Sequence, residues 1–301
     1  MEERRPVYAT CLLSCASSYV SLTITEVHTM SAQTKIQLAS QLETPIVLMS
    51  CPQDLADLAT AERQQEARRI YEAPGIIILD NAVGEATLEG LREGLTSERR
   101  KFKDKFNRGL PTSETFKRAH KDVSRRISEM TRKLFGYDLP EECARSYRPM
   151  ITEDEPLHYD TYDVECGKFS LMAVVNFDTR ARVWNVGPTF REICRDSGPD
   201  IEEILKNKRA GESASVPIRS AGLRGHGPLR PGIPLHHIEF APGSVWYANP
   251  KTISHQITYG GGAYFEQWNI QTSECRCQSC IFEHSGLRIP NLRTSGSTAA
   301  A

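Results

Sequence analysis

The sequence predicts a mainly β domain with flanking helices, its core a sandwich of jelly-roll type. Three observations carry this. From about Arg145 the chain breaks into short strand-like runs separated by Gly, Pro and Asp turns, the pattern of a sandwich or barrel rather than of alternating strands and helices. Upstream, Thr115 to Phe135 repeats apolar residues every three or four positions, as an amphipathic helix does. A chain of 301 residues, 39% of them hydrophobic, is enough for one full-sized core with an N-terminal extension, not a second domain of equal weight.

Residues 1–50 show no sustained period of 3.6 or 2 and read as a poorly ordered extension. A single domain follows over 51–293. Its helical support spans 54–135. Asp54 to Tyr71 is rich in Ala, Glu, Gln and Arg and suits a helix that Ala73-Pro74-Gly75 stops, before the run Ile76 to Leu79 reads as the first buried strand. In Thr115 to Phe135 the stripe Phe116, Ala119, Val123, Ile127, Met130 and Leu134 should pack on a sheet. The core covers 145–272, with strands at Ser146 to Ile151, Lys168 to Phe177, Arg182 to Val186, His236 to Phe240, Ser244 to Ala248, Ser254 to Tyr259 and Ala263 to Ile270. An insertion at 189–235 interrupts it, a Cys-rich segment fills 273–293, and the small polar tail 294–301 is expected to be disordered.

A formal net charge of −1 and a pI near 6.7 give no overall pull toward nucleic acid or an anionic membrane, so a small-molecule partner is expected. Lys117, Arg118, Lys121, Arg125, Arg126, Arg132 and Lys133 read as the solvated face of their helix. The 9 cysteines are odd in number and irregularly spaced, which argues for a reducing compartment, the cytoplasm, over a disulfide framework. Tyr8 to Leu22 is mildly apolar but falls short of the roughly 20 residues of a membrane span.

The chemistry concentrates in Pro156-Leu157-His158-Tyr159-Asp160. In an extended backbone residues two apart emerge on one face, so His158 and Asp160 can share a metal. A third ligand must come from another strand, and His255, shortly after the turn Pro242-Gly243-Ser244-Val245-Trp246, supplies it. Two histidines and one carboxylate on one face of an ion leave the other face open, which suits Fe(II) oxygenases better than the closed four-ligand sites of structural zinc. The bland reading is a surface pair of His158 with Asp160 and a satisfied core histidine at 255.

Six stretches, Ser146-Tyr147-Arg148-Pro149, Leu157 to Asp160, Arg182-Val183-Trp184-Asn185-Val186-Gly187, Phe240 to Trp246, Ser254-His255 and Glu266-Gln267, occur in the order seen in 3-deoxy-manno-octulosonic acid (Kdo) hydroxylases. Over roughly residues 140–272 the chain resembles that group of Fe(II)/2-oxoglutarate dioxygenases. The resemblance implies a double-stranded β-helix, a cupin-like jelly roll, with Fe(II) on His158, Asp160 and His255, 2-oxoglutarate as co-substrate and dioxygen as oxidant. It implies attack on an unactivated C–H bond of a small metabolite, by hydroxylation, desaturation or oxidative cyclisation, and specifies the metabolite poorly: an amino acid, a sugar acid and a natural-product intermediate all remain open. Asp160 fills the position that halogenases leave for chloride.

The sequence departs from the wider pattern after the distal histidine, where Phe265 to Ile270 contain no Arg or Lys to pair with the far carboxylate of the co-substrate. Arg182 and Arg148 stand in strand-like positions as alternatives, with Gln267 and Asn269 as neutral donors. Tyr147, Tyr159, Trp184, Trp246 and Arg224 are candidates to line the substrate pocket. The insertion, with Gly222, Gly225, Gly227, Gly232 and several arginines, is expected to act as a lid. His236 and His237, adjacent in a strand, point to opposite faces, and His226 sits in a Gly-rich loop. Cys275, Cys277 and Cys280 with His284 form either a thiol-rich turn or a small zinc cluster. Two rival classes stand beside the dioxygenase, a cupin-like metal enzyme without 2-oxoglutarate and an inactive jelly-roll binding protein, and succinate release separates all three.

Overall fold

A computed structural model of the chain describes residues 33–98, 113–148, 152–153, 157–158, 169–189, 192, 234–250 and 252–270. In chain order the elements are β1 (Lys35–Gln37), β2 (Ile46–Ser50), a 3-10 turn (Leu55–Leu58), α1 (Ala61–Glu72), β3 (Ile76–Asp80), α2 (Glu85–Glu98), α3 (Glu114–Phe135), β4 (Ala144–Arg148), β5 (Thr152–Glu153), β6 (Phe169–Asn176), β7 (Arg182–Thr189), β8 (His236–Phe240), β9 (Val245–Tyr247), β10 (Ile253–Gly260) and β11 (Ala263–Ile270). The strands form a larger sheet in the order β2-β3-β9-β6-β11-β4 and a smaller one in the order β1-β8-β7-β10-β5. Apart from the parallel β2/β3 pair, the described pairings are antiparallel.

Alternation along the strands divides the interior into two layers. On β11, Tyr264, Trp268 and Ile270 join the apolar cluster shared with the helices, while Ala263 and Phe265 join the cluster between the sheets. The helices therefore cover one face of the larger sheet, and its other face meets the smaller sheet. Among the described residues no helix is long and apolar enough to cross a membrane.

α3 has the residues its boundaries require. The Ser113 hydroxyl accepts from the Phe116 amide at 3.2 Å, Glu114 stands in the first turn, and Gly136 ends the helix at φ 64° with Arg132 and Lys133 in the last turn. The whole expected stripe, Phe116 to Leu134, is buried.

Four expectations need correction. The helix read over 54–71 divides in two because it holds two N-caps: Asp54 accepts from the Ala56 amide at 2.8 Å and Thr60 from the Arg63 amide at 3.3 Å. α2 went unread because Gly90 and Gly94 lower its helix propensity, and the burial of Leu88 and Leu91 overrides that cost. β4 begins earlier than expected, at Ala144, and residues 149–151 of the expected strand lie outside the described residues. β1 and β2 fall inside the stretch read as an extension; β1 is only 3 residues long and β2 is half-exposed without alternation, so neither carries a period.

The packing under α3 sets a pH dependence. His120 is half-buried against Phe116, Tyr147 and Tyr264. Burial, and then the Arg145 guanidinium, push its pKa below the ordinary value against the opposing pull of Glu266. Burial lowers His236 in the same way, opposed by Glu192. A histidine whose folded pKa lies below its unfolded value of about 6.5 takes up its proton first in the unfolded chain. Its contribution is complete above that value and is lost as pH falls through it. The denaturant midpoint should therefore drop between about pH 7.5 and about pH 5.5, and less steeply in His120→Phe, which keeps the aromatic packing. Equal slopes for the two proteins would acquit His120.

Candidate metal centre

β10 carries Ile253-Ser254-His255-Gln256-Ile257 against β7, with His255 opposite Val186 and Ile257 opposite Trp184. The Ser254 hydroxyl donates to the Pro188 carbonyl at 2.7 Å. A Cβ on Gly187 would stand 2.7 Å from that hydroxyl oxygen and 3.1 Å from Leu157 Cδ2, so glycine there admits the Leu157-His158 segment close to the sheet. That segment closes an isolated antiparallel bridge in which the His158 amide donates to the His255 carbonyl at 3.0 Å and the His255 amide to the His158 carbonyl at 2.9 Å. Residues that exchange both bonds lie directly opposite, with side chains on the same face. The two imidazole rings accordingly sit 4.5 Å apart, centroid to centroid.

The face they share is the inner one. Arg182, Trp184 and Val186 alternate inward along β7, and His236, Ile238 and Phe240 do so on β8. His255 is 4% exposed and stacks on Trp184 at 5.0 Å, and its Nδ1 lies 3.3 Å from the Ile253 carbonyl. In the tautomer with hydrogen on Nδ1, Nε2 is left as the donor to a metal. Adjacent neutral nitrogen donors of this kind fit a first-row metal such as iron. Asp160 lies outside the described residues, among which no group of three or more potential metal-binding side chains occurs.

Arg182 is the one buried Arg or Lys among the described residues, at 2% exposed. It sits on the inner face beyond the Trp184–Ile257 rung, its Nη1 3.4 Å from the Gly261 carbonyl and its guanidinium carbon 5.9 Å from the Phe265 ring centre. A Cβ on Gly260 would come within 2.4 Å of Nη1, so that glycine makes room for the guanidinium. Gln267 donates to Ser170 Oγ at 2.8 Å, whereas Asn269 is exposed. Arg148 is paired through its backbone with Ala263, and its side chain lies outside the described residues, as do Tyr159, Arg224, His226, most of the expected lid and the Cys275, Cys277, Cys280 and His284 group.

The three aromatic candidates among the described residues are all buried. Tyr147 pairs with Tyr264 and faces the helices, packed against Phe116, His120 and Phe177, on the opposite side of the sheet from the histidine pair. Trp246 is fully buried, stacked on Phe240 at 3.9 Å. Trp184, at 2% exposed, is a wall behind His255 and not an open surface. His236 and His237 do face opposite ways. His237 Nδ1 lies 2.9 Å from Asn185 Oδ1 on the outer face. His236 lies on the rung of Val186 and His255, accepts from the Ala39 amide at Nδ1, and has no hydrogen-bond partner for Nε2 among the described residues. The sequence offers either of the adjacent pair as a pocket-lining residue, and only the register of β8 against β7 tells which one faces inward.

The sequence matches no protein-family model and no curated protein. Its fold does match solved structures. The Kdo hydroxylase KdoO, a non-haem Fe(II) alphaketoglutarate-dependent dioxygenase, in complex with cobalt(II), aligns with a TM-score of 0.59 at 13% identity, covering 86% of this chain and 100% of that one. The same enzyme with alphaketoglutarate and Fe(III) aligns at 0.57 and 14% identity, covering 80% and 96%. The likeness establishes the jelly-roll fold that the strand pattern predicted.

Proposed function

We propose that the protein is a non-haem Fe(II)- and 2-oxoglutarate-dependent oxygenase acting on an unactivated C–H bond of a small metabolite. The observation that carries this reading is the reciprocal backbone bridge between His158 and His255, which sets two imidazoles side by side on the inner face of a jelly roll. Asp160, two residues from His158, completes the ligand set in this proposal, since an extended backbone presents both on one side. Iron held there, with 2-oxoglutarate and dioxygen, supplies the oxidising power that the side chains of the protein lack.

The chain's own residues bind, orient and keep water out. Trp184, Ile257, Met172 and Val174 form an apolar wall on the inner face that excludes water from the reacting C–H bond. Arg182 is assigned to the far carboxylate of the co-substrate. From the rung of His255 it is four residues along β7, about 13 Å of strand, a gap that a five-carbon diacid and an extended arginine can close together. Gln267, on the facing strand, adds a neutral donor.

The decisive experiment is succinate formation from 2-oxoglutarate by the full chain with Fe(II), with and without amino acids, sugar acids and related metabolites. Stoichiometric iron with no succinate under any condition would favour a metal enzyme of another kind, and no iron binding would end the proposal. Arg182→Gln should raise the 2-oxoglutarate concentration needed for half-maximal succinate formation about tenfold or more, since a neutral amide replaces a charge-assisted fork. An unchanged requirement would move the carboxylate partner elsewhere.

A further inference from the structure

We infer that His236 is a substrate-binding residue of the oxygenase proposed above, its Nε2–H donating to an uncharged oxygen of the substrate, a hydroxyl or a carbonyl; the inference rests on that proposal. Four residues, His158, His255, Val186 and His236, share one rung across the smaller sheet. The two histidines of the metal centre stand at one end of it and His236 at the other, two strand spacings or about 10 Å from His255. All face inward, with the fully buried Val186 between them. A small metabolite lying over Val186 spans that gap, one end at the metal and the other at His236.

The hydrogen bond at Nδ1 fixes the tautomer. The Ala39 amide donates to Nδ1 at 3.0 Å, so that nitrogen carries no hydrogen and the neutral ring holds it on Nε2. Burial disfavours the imidazolium as well. The same bond aims the ring. Ala39 follows β1, which pairs with β8 on the edge away from β7. The two nitrogens of an imidazole face away from each other across the ring, so Nε2 points back toward β7 and β10, the side of the metal centre. His236 is 2% exposed, and its Nε2 meets no acceptor among the described residues. Its neighbours on the inner face, Val186 and Ile238, are apolar and offer none. A buried donor without a partner is rare in native proteins and calls for an acceptor from outside the chain. That acceptor is an oxygen, because an ammonium or amide N–H would set donor against donor. It is uncharged, because Arg182, the one buried Arg or Lys among the described residues, lies at the opposite end of β8 against Phe240 and is assigned to the co-substrate.

Asparagine and glutamine separate the two nitrogens, since the asparagine amide reaches the place of Nδ1 and the glutamine amide that of Nε2. His236→Asn therefore keeps an acceptor for Ala39 and loses the inward donor, and His236→Gln does the reverse. The probes are the amino acids and sugar acids that raise succinate formation by the full parent chain. His236→Asn should raise their KM about tenfold or more, the scale of a hydrogen bond lost in a buried site, while His236→Gln should stay within about threefold. The half-saturating 2-oxoglutarate concentration, and the affinity and visible spectrum of added cobalt(II), should match the parent in both variants, since His236 meets neither co-substrate nor metal. Imidazole nitrogen NMR of the parent at about pH 7.5 should show His236 with its hydrogen on Nε2. A hydrogen on Nδ1 would overturn the inference, and so would a parent-like KM in His236→Asn, an equal rise in both variants or a changed cobalt spectrum. Failure of the parent to form succinate with any of these compounds would instead strike the oxygenase reading itself.

Discussion

His255→Gln is expected to abolish iron-dependent succinate formation and to weaken Fe(II) binding by more than the ~10–100-fold that loss of an outer-shell partner costs. Glutamine is the informative replacement because His255 is 4% exposed, between the rings of Trp184 and His158, and alanine would add a cavity to the loss of a ligand. The bridge to His158 is made by main-chain atoms and survives the change. Thermal unfolding should consequently shift by only a few degrees while turnover disappears. His158→Gln should behave alike. His237→Gln, altered on the outer face of the smaller sheet beside Asn185, should keep full activity. Iron-dependent turnover surviving in His255→Gln would remove the residue from the ligand set.

What the sequence reveals here depends on whether a feature is local. The stripe of α3 is visible because a helix repeats every 3.6 residues whatever it packs against, and its caps, Ser113 and Gly136, are single residues with a single job. The pairing of His158 with His255 joins distant parts of the chain, and only the residue types and the flanking turn hint at it. Parity is the part that fails. Tyr147 and Trp184 look equally suited to a pocket, yet one faces the helices and the other the space between the sheets. A one-residue difference in register exchanges those faces, and nothing within a short strand reports it. The sequence shows Trp184 as an aromatic near the site, whereas its stack on His255 depends on the register of β7 against β10 and leaves no local signal. The edge strands β1 and β2 are hidden for another reason: they are short and half-exposed, so no apolar alternation marks them.

The same parity gives Glu266 a role that its place in a family-like motif does not suggest. Its neighbour Gln267 looks into the sandwich, but Glu266 looks out under α3, with no exposed side-chain surface. A buried carboxylate survives only if its lone pairs are met. The hydroxyls of Tyr264, Ser124 and Ser128 donate to it, and Arg145 donates from Nε at 3.1 Å. Burial, and then the Glu266 charge, hold the Tyr264 hydroxyl far above the usual tyrosine range, so it stays protonated and keeps donating. One side chain thereby ties α3, β4 and β11 together. Glu266→Ala leaves the Tyr264, Ser124 and Ser128 hydroxyls without their acceptor, at about 1–3 kcal/mol for each buried donor left unsatisfied, and should destabilise the fold by about 3–5 kcal/mol. At about 2–4 °C per kcal/mol for a domain of this size, the melting temperature should fall by about 10 °C. Glu266→Gln keeps the shape and part of the accepting capacity and should lose about 1–3 kcal/mol. Because the residue faces away from the histidine pair, the cobalt spectrum of the folded Glu266→Gln protein should match that of the parent. A loss under about 1 kcal/mol in Glu266→Ala would mean that water enters through the groove lined by Ser124, Ser128 and Arg145 and takes over the carboxylate's bonds.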